Sequence, residues 1–414
     1  MSLYLVKKNQ KTKRLKDFIS LSKNFENVSI GKDGMYAEKC VQLDCQQASG
    51  EKIYNARGFC GATIAVADGG GVYQKLADNL EKIGSIIDNE NVTIADFDDN
   101  GKKRYLLLGE NAAYLCEDAT LTEVNIPYGT HAALVGETLF VANDCVLKFG
   151  EKSAIEARNT AFYSNNIIEF PARAGKIIEL IPLGKELVIV CKYAIYILSA
   201  LGEKIAYNLS SIQSEHINVA ENSVAKIGDG IYFISDRRLK VLKNNRVTDC
   251  GCDYEINAQK VLSCAATGTC YNVIFQNQSD YLNTLMSFDI AKERVFITRG
   301  RFNKIDCNSN LFADNGIYLL SDSVGEGIVS YWQSKNFDFD CADKKVFSSM
   351  SVITDSPLEV VLLGDFGQKR LKFNSGYTRK KINLKSGGLS FELHADKGFN
   401  LSYVDFEYSI MERK

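Results

Sequence analysis

The residues of this chain that could do chemistry are scattered, and each has a competing structural explanation. In "ADFDDNGKK" (95–103), Asp96, Asp98 and Asn100 stand at alternate positions, as they would in an oxygen-rich calcium loop. The twelfth position, where a bidentate Glu would close that loop, holds Leu107 inside an apolar run, so the stretch reads equally as an exposed turn. "ADGGGVY" (67–73) has the glycines of a phosphate cradle, but such a cradle needs a helix N-terminus directly after it. "VYQKL" follows and continues as strand, so the glycines read as a hairpin turn.

His131, His216 and His394 lie far apart, without metal-ligand spacing, and no serine sits in a G-x-S-x-G elbow. Of 12 cysteines only Cys250, Cys252, Cys264 and Cys270 cluster, and not in the paired C-x-x-C of structural zinc sites. Most of the others fall in apolar runs, where a thiol behaves as a small hydrophobe. "KKNQKTKRLK" (7–16) carries six basic residues with no aromatic between them, which reads as a solvated arm or a contact for phosphate or an acidic surface. Acid-rich segments such as "SDSVGEG" (321–327) and "FDFDCAD" (337–343) leave open a carboxylate pair converging as in a glycosidase. No catalytic residue, cofactor site or metal site is assigned, and the chain reads as non-enzymatic.

What would position any of these groups is a repeated β-unit. "TIAVADGGGVYQKL" (63–76), "RYLLLGENAAYLCE" (104–117), "TLFVANDCVLKFGE" (138–151) and "ELVIVCKYAIYILS" (186–199) each read as two strands and a tight turn. "IYFISDRRLKVLK" (231–243), "YNVIFQNQSDYLNTLMSF" (271–288) and "GIYLLSDSVGEGIVSYW" (316–332) continue the series. Ala65, Leu106, Leu139, Val188, Tyr232, Val273 and Tyr318 mark steps of 41, 33, 49, 44, 41 and 45 residues. A period of about 40–45 residues suits the four-stranded blade of a β-propeller, against the alternative of packed sandwiches. The expectation is an all-β chain: a six- or seven-bladed propeller over 51–331, with 1–50 as an arm or closing-strand region. "DGMYAEKCVQLD" (33–44) is a candidate closing strand.

At 414 residues with 45% hydrophobic content and net charge −2, the chain is long enough for two domains and lacks the basic excess of a dedicated nucleic-acid binder. No apolar stretch reaches the roughly 18 residues of a membrane span, and the first residues do not form a secretory signal. A cytoplasmic site of synthesis and no membrane partner are expected.

From Trp332, the only tryptophan, the texture changes. "KVFSSMSVITD" (345–355), "PLEVVLLGDFGQKRLKF" (357–373), "RKKINLKSGGLSFELHAD" (379–396) and "FNLSYVDFEYSIMERK" (399–414) alternate apolar and polar residues, the pattern of a half-buried antiparallel sheet. In "LSYVDFEYSI" the alternation sets Leu401, Tyr403, Asp405, Glu407 and Ser409 opposite Ser402, Val404, Phe406, Tyr408 and Ile410. A C-terminal antiparallel β-domain over 332–414 is expected. Trp332 then reads as a clamp between two domains or as a core residue of the last blade.

The phrase "YWQSKNFDF", followed by these strands, resembles tailed-bacteriophage tail proteins, above all the tail nozzle and packaged-DNA-stabilisation proteins of short-tailed phages. Their W-x-S-K-x-F phrase is matched by Trp332, Ser334, Lys335 and Phe337. "GDFG" (364–367) departs from the Asp-Gly turn usual in that family. The resemblance implies a virion structural subunit made in the host cytoplasm. It would self-associate as a ring, six-fold in that family, around the DNA exit channel. Its partners would be other tail or connector proteins, with DNA passing transiently and without sequence-specific binding. Two other readings are a cytoplasmic propeller scaffold that binds proteins and a carbohydrate-active propeller enzyme.

Overall fold

A computed structural model describes residues 4–6, 11–15, 22–31, 34–36, 39–45, 52–59, 61–76, 79–87, 92–99, 102–151, 166–200, 207–212, 217–252, 254–256, 258–276, 282–313, 316–321, 329–339, 343–396 and 398–413. The described elements are strands, with one short 3-10 turn at Ala172–Ala174. The chain divides into two units: 43–285 with 300–319, and 1–42 with 286–299 and 320–414.

The first unit is built from consecutive antiparallel meanders. Sheet 1 runs Ile53–Phe59, Ala62–Ala67, Gly71–Leu76, Asn79–Ser85, and sheet 2 runs Thr93–Asp99, Lys102–Leu108, Ala113–Glu117, Thr120–Val124. Sheet 3 contains His131–Val135, Thr138–Asn143, Val146–Glu151 and Ile167–Glu169. Sheet 4 contains Ile177–Leu183, Glu186–Cys191, Ile195–Ala200 and Tyr207–Ile212, and sheet 5 Ala225–Ile227, Gly230–Ser235, Arg238–Lys243 and Arg246–Asp249. Sheet 6 has Lys260–Thr267 and Cys270–Gln276, followed by Asn283–Asp289, of which residues 283–285 fall in this unit. Sheet 7 runs Phe302–Ile305, Asn310–Ala313 and Gly316–Ser321, and is completed by Cys40–Cys45, whose residues 43–45 fall in this unit. That strand lies in the segment expected to close the ring.

Tight turns make the meanders possible. Asp118-Ala119, Asp236-Arg237 and Asn244-Asn245 each place both central residues at positive φ, as type I′ hairpin turns require. Gly70, at φ 73°, turns sheet 1 from its second strand to its third, and Gly71–Leu76 continues as strand as expected.

Period-two alternation then serves two neighbours at once. In sheet 4, Leu187, Ile189 and Cys191 join a core with Phe140, Ala142 and Leu147 of sheet 3. The intervening Val188 and Val190 join a core with Ile231, Phe233 and Leu242 of sheet 5. Leu106 and Leu108 likewise face sheet 3, while Tyr105 and Leu107 face sheet 1. Each second strand is therefore apolar on both sides, and burying one Leu or Ile stabilises by about 1.5–3 kcal/mol. The cycle closes where Phe312 and Ile317 of sheet 7 pack on Ile53, Ala65 and Tyr73 of sheet 1. First strands abut in order from sheet 1 to sheet 4 and from sheet 5 to sheet 7, sheets 4 and 5 share the core described above, and Phe302–Ile305 abuts Ile53–Phe59, which is the arrangement of a β-propeller.

A polar cluster locks that closing seam. Asp306 accepts from Thr63 Oγ1 at 2.5 Å, Asn310 Nδ2 at 2.8 Å, and the N–H groups of Asn308 and Asn310, both at 2.9 Å. Asn308 Nδ2 also donates to the Ala62 carbonyl at 2.9 Å. A Cβ on Gly58 would lie 2.9 Å from the Asp306 carboxylate, so this strand needs glycine there.

The second unit draws on more of the chain than the expected 332–414, taking in residues of 1–42 and 286–299 as well. Ser22–Glu26 pairs with Ser330–Ser334, which continues through Leu389–Ala395 and Leu358–Gly364 to Gly367–Phe373. Val28–Ile30 pairs with residues 295–297 and with Met35–Tyr36. Asn400–Arg413 pairs with Met35–Tyr36, Lys345–Thr354, Tyr4–Val6 and Lys11–Arg14, and Gly376–Ser386 is the strand beyond Lys345–Thr354. Strand pairing ignores sequence distance, so a boundary drawn where one texture ends could not see this partnership.

Aromatic rings fill this unit. Phe406 lies 5.7 Å from Phe391, 5.5 Å from Phe339 and 6.3 Å from both Phe337 and Phe347, mostly edge-to-face. Val404, Phe406 and Tyr408 are buried as the alternation requires. The alternation breaks at Leu401, which is fully buried, because a bulge between Ile353 and Thr354 pairs Tyr403 and then Leu401 while skipping Ser402.

Candidate functional site: a cavity at the axis of the propeller unit

The opening residues of the first strands converge on a cavity of about 570 Å³. Its wall includes Tyr54 and Asn55 of sheet 1, Thr93 of sheet 2, Thr130 and His131 of sheet 3, Lys176 at sheet 4, Glu221 and Asn222 before sheet 5, and Lys304 of sheet 7. Cross-sheet hydrogen bonds hold the wall in place. Asn55 Nδ2 donates to the Val92 carbonyl at 2.6 Å, and Thr93 Oγ1 to the Thr130 carbonyl at 2.8 Å.

The charges differ in how they are satisfied. Arg57 of sheet 1 forms an ion pair with Asp96 of sheet 2, and that carboxylate raises the guanidinium pKa further. Lys176 pairs with Glu221 at 2.7 Å, with both side chains about half exposed. Lys304 is half-buried in the wall and, among the described residues, reaches the Leu262 carbonyl alone, at 3.5 Å; burial lowers its pKa. Burial also lowers the pKa of His131, whose Nδ1 stands 3.0 Å from Thr130 Oγ1. Thr130 Oγ1 has the Ala142 carbonyl as acceptor at 3.4 Å, so the pair is consistent with Nδ1–H donating to Thr130 and Nε2 left as an acceptor.

Cys116 and Cys307 are not poised as nucleophiles. Burial pushes Cys116 up to about 11 and Cys307 up to about 12. Cys264 points its Sγ at the Val224 carbonyl, 3.1 Å away. Among the described residues no group of three His, Cys, Asp or Glu side chains could hold a metal ion.

The residues singled out in the sequence sit elsewhere. Trp332 is fully buried inside the second unit, opposite Phe25 and Leu393, with its ring 5.0 Å from Phe391. These partners all belong to the second unit. Trp332 Nε1 donates to Ser22 Oγ at 2.7 Å. Ser334 Oγ accepts from the Phe391 N–H at 2.9 Å, Phe337 packs on Phe391 and Phe339, and Lys335 is exposed. The W-x-S-K-x-F phrase is thus chiefly a core motif. Asp365 and Phe366 form the two-residue turn of "GDFG", with Gly364 opposite Gly367 and Phe366 71% exposed.

Lys11–Arg14 is an edge strand on Asp405–Tyr408, with Arg14 over the Tyr403 ring at 4.8 Å. His394 lies 3.4 Å from Glu392. Asp96 is held by Arg57, while His216, Asn100, the Asp98 side chain and residues 322–327 and 340–342 lie outside the described residues. Sequence reasoning missed Lys304, Lys176 and Asn55. The available signal was positional, since each opens or lies within the first strand of its sheet.

The chain matches no protein-family model and no curated protein. Among solved structures it is similar to the extracellular domain of the putative one-component system BT4673 from B. thetaiotaomicron, at 12% identity and TM-score 0.46. That match covers 81% of this chain and 46% of the other, so the chain spans about half of that protein's length. It is also similar to BamB from Moraxella catarrhalis (7% identity, 77% and 97% coverage, TM-score 0.43) and the Pan2 WD40 domain of Neurospora crassa (10%, 70% and 97%, 0.47). The propeller arrangement stands on the chain's own sheet order.

Proposed function

We propose that the chain is a non-enzymatic binding scaffold: a seven-bladed β-propeller whose cavity-bearing face receives a protein partner, joined to a terminal β-unit. The observation that supports this most is the character of the surface beside the cavity. Tyr193, half exposed at the turn between the second and third strands of sheet 4, packs against Gly175, next to cavity-lining Lys176. Ile87, 67% exposed, lies in the connection leading to cavity-lining Val92. Large apolar side chains around a polar concavity suit a partner that seats one segment in the cavity and spreads over its rim.

A photo-crosslinking residue placed at Tyr193 or Ile87 in the source cells should capture one defined protein. The same residue at Leu209, exposed on the outermost strand of sheet 4, should capture none. Equal capture at all three positions would remove the reading.

A second reading is a virion structural protein of a phage tail or head–tail connector, closing into a ring around the DNA exit channel, six-fold as the resemblance implies. Its support is the resemblance above together with the edges of the terminal unit. Lys11–Arg14, Gly367–Phe373 and Gly376–Ser386 carry ten basic residues and no acidic one, which discourages stray strand pairing where many copies are crowded together. Sedimentation of the purified chain with and without duplex DNA tests it. A closed oligomer supports the ring, and a monomer under both conditions at high concentration counts against it.

A further inference from the structure

The axial cavity holds a cation whose counter-charge the described residues do not provide. Three other cations of the propeller unit are matched by carboxylates, Arg57 by Asp96, Arg104 by Glu117 at 3.1 Å, and Lys176 by Glu221. Lys304 is the exception. Its Nζ meets one carbonyl, Leu262, at 3.5 Å, which is long for an N–H···O bond, and no carboxylate of the described residues pairs with it. The charged neighbour that bears on it besides the Cys264 thiol is another cation, Lys260.

An ammonium carries three donors, and a cation withdrawn from bulk water is costly unless something anionic faces it. We propose that this cavity binds an oxyanion, a carboxylate or phosphate group, with Lys304 Nζ as its principal ligand. The volume of about 570 Å³ exceeds what a lone ion fills and admits a small organic anion or an acidic side chain. Asn55 Nδ2 gives one of its two N–H groups to the Val92 carbonyl and keeps the second as a further donor, while its Oδ1 accepts from the Ala56 N–H. Lys176 is a candidate second donor if the anion competes with Glu221. The Lys304 pKa, lowered by burial, would rise on binding, as an opposite charge at close range requires.

This site stands independently of the partner reading, because a free small anion would occupy it on the purified protein. Thermal melts of the full chain at constant ionic strength, titrated with inorganic phosphate or succinate, test it. The expected result is a saturable rise in Tm at millimolar anion with the wild type, absent with chloride. Lys304→Met should melt no lower than the wild type without anion and show no saturable rise, whereas Lys304→Arg should keep it. Isothermal titration with an acetylated Glu-Glu-Glu peptide and its Gln-Gln-Gln counterpart separates the sources. Binding of the Glu peptide with no response to free anions points to a partner's acidic side chain, and the reverse to a free anion. No saturable response to any of these probes, or an equal response in Lys304→Met, would overturn the assignment.

Discussion

The two units solve the same problem, burying the faces of β-sheets, with opposite chain economies. In the propeller unit sheets 1 to 5 are each made from strands consecutive in sequence, so each blade is legible as one segment. The terminal unit recruits strands from residues 4–36, 294–299 and 330–413, and its fully buried Trp332 pairs with Phe25 some three hundred residues away. Local modules fold against little loop-closure entropy, whereas the terminal unit must close very long loops before its contacts form. A periodic reading therefore finds the first architecture and misassigns the second.

The sharpest way to break that comparison is the aromatic core. Phe406→Ala should destabilise the terminal unit by about 3–5 kcal/mol, since it leaves a void among Phe337, Phe339, Phe347 and Phe391. Trp332 is the only tryptophan, so its fluorescence reports this unit alone, while calorimetry reports both. The expected outcome is an early fluorescence transition with the propeller's heat absorption unmoved. Equal shifts in both signals would mean that the division into units has no energetic content.

The closing seam of the propeller comes next. Asp306→Ala strands Thr63, Asn310 and two backbone N–H groups, costing about 2–3 kcal/mol in urea unfolding. Its pH dependence carries a sign. Burial raises the Asp306 carboxyl above its ordinary 3.8, against hydrogen bonds from Asn310 and Thr63 that lower it. The folded chain therefore holds this proton more tightly than the unfolded chain. The stability it contributes is full below the unfolded value and is lost as pH rises through the folded one. Asp306→Asn removes that titration, so wild-type stability relative to the variant should fall as pH climbs above 3.8. A relative gain with pH would mean that the cluster favours the ionised carboxylate.

What could be read from the sequence follows the same divide. The blade period, the hairpin turns and the strand near residue 40 were readable because apolar alternation and turn chemistry act over a few residues. Phe406 and Tyr408 were readable as an inward face, but the bulge at Ser402 was not, because a bulge is decided by the partner strand. Trp332 was visibly unusual, yet its role depended on Phe25 and Ser22, which no local pattern links to it. Lys304 carried no signal beyond its place in a first strand, being one lysine in "RFNKID" until residues of other sheets meet around the same cavity.

Ser22→Ala probes that distant link more gently. It leaves the buried indole N–H without its 2.7 Å acceptor, and should cost about 1–2 kcal/mol in the same fluorescence-monitored transition. Trp332→Phe removes the donor and the fluorophore together, so the double-mutant cycle with Ser22→Ala is read by calorimetry and should give a coupling of about 1 kcal/mol. Zero coupling would reduce the tryptophan to its area alone.

The smallest effect on stability belongs to the edges, and it separates two meanings of a surface charge. Arg370 sits on the end strand Gly367–Phe373, 3.0 Å from Glu359, with its side chain 69% exposed. An ion pair so exposed contributes little, and Arg370→Ala should change unfolding by under about 0.5 kcal/mol. Lys372 points the same way along that strand, since Leu371 and Phe373 between and beyond them are buried. If these cations act by repelling another edge, replacing both with valine should leave the monomer's unfolding nearly unchanged while light scattering shows concentration-dependent association. A valine pair that stays monomeric would show that the edge is shielded by something other than its charge. One that unfolds early would show that the charges hold the strand itself in place.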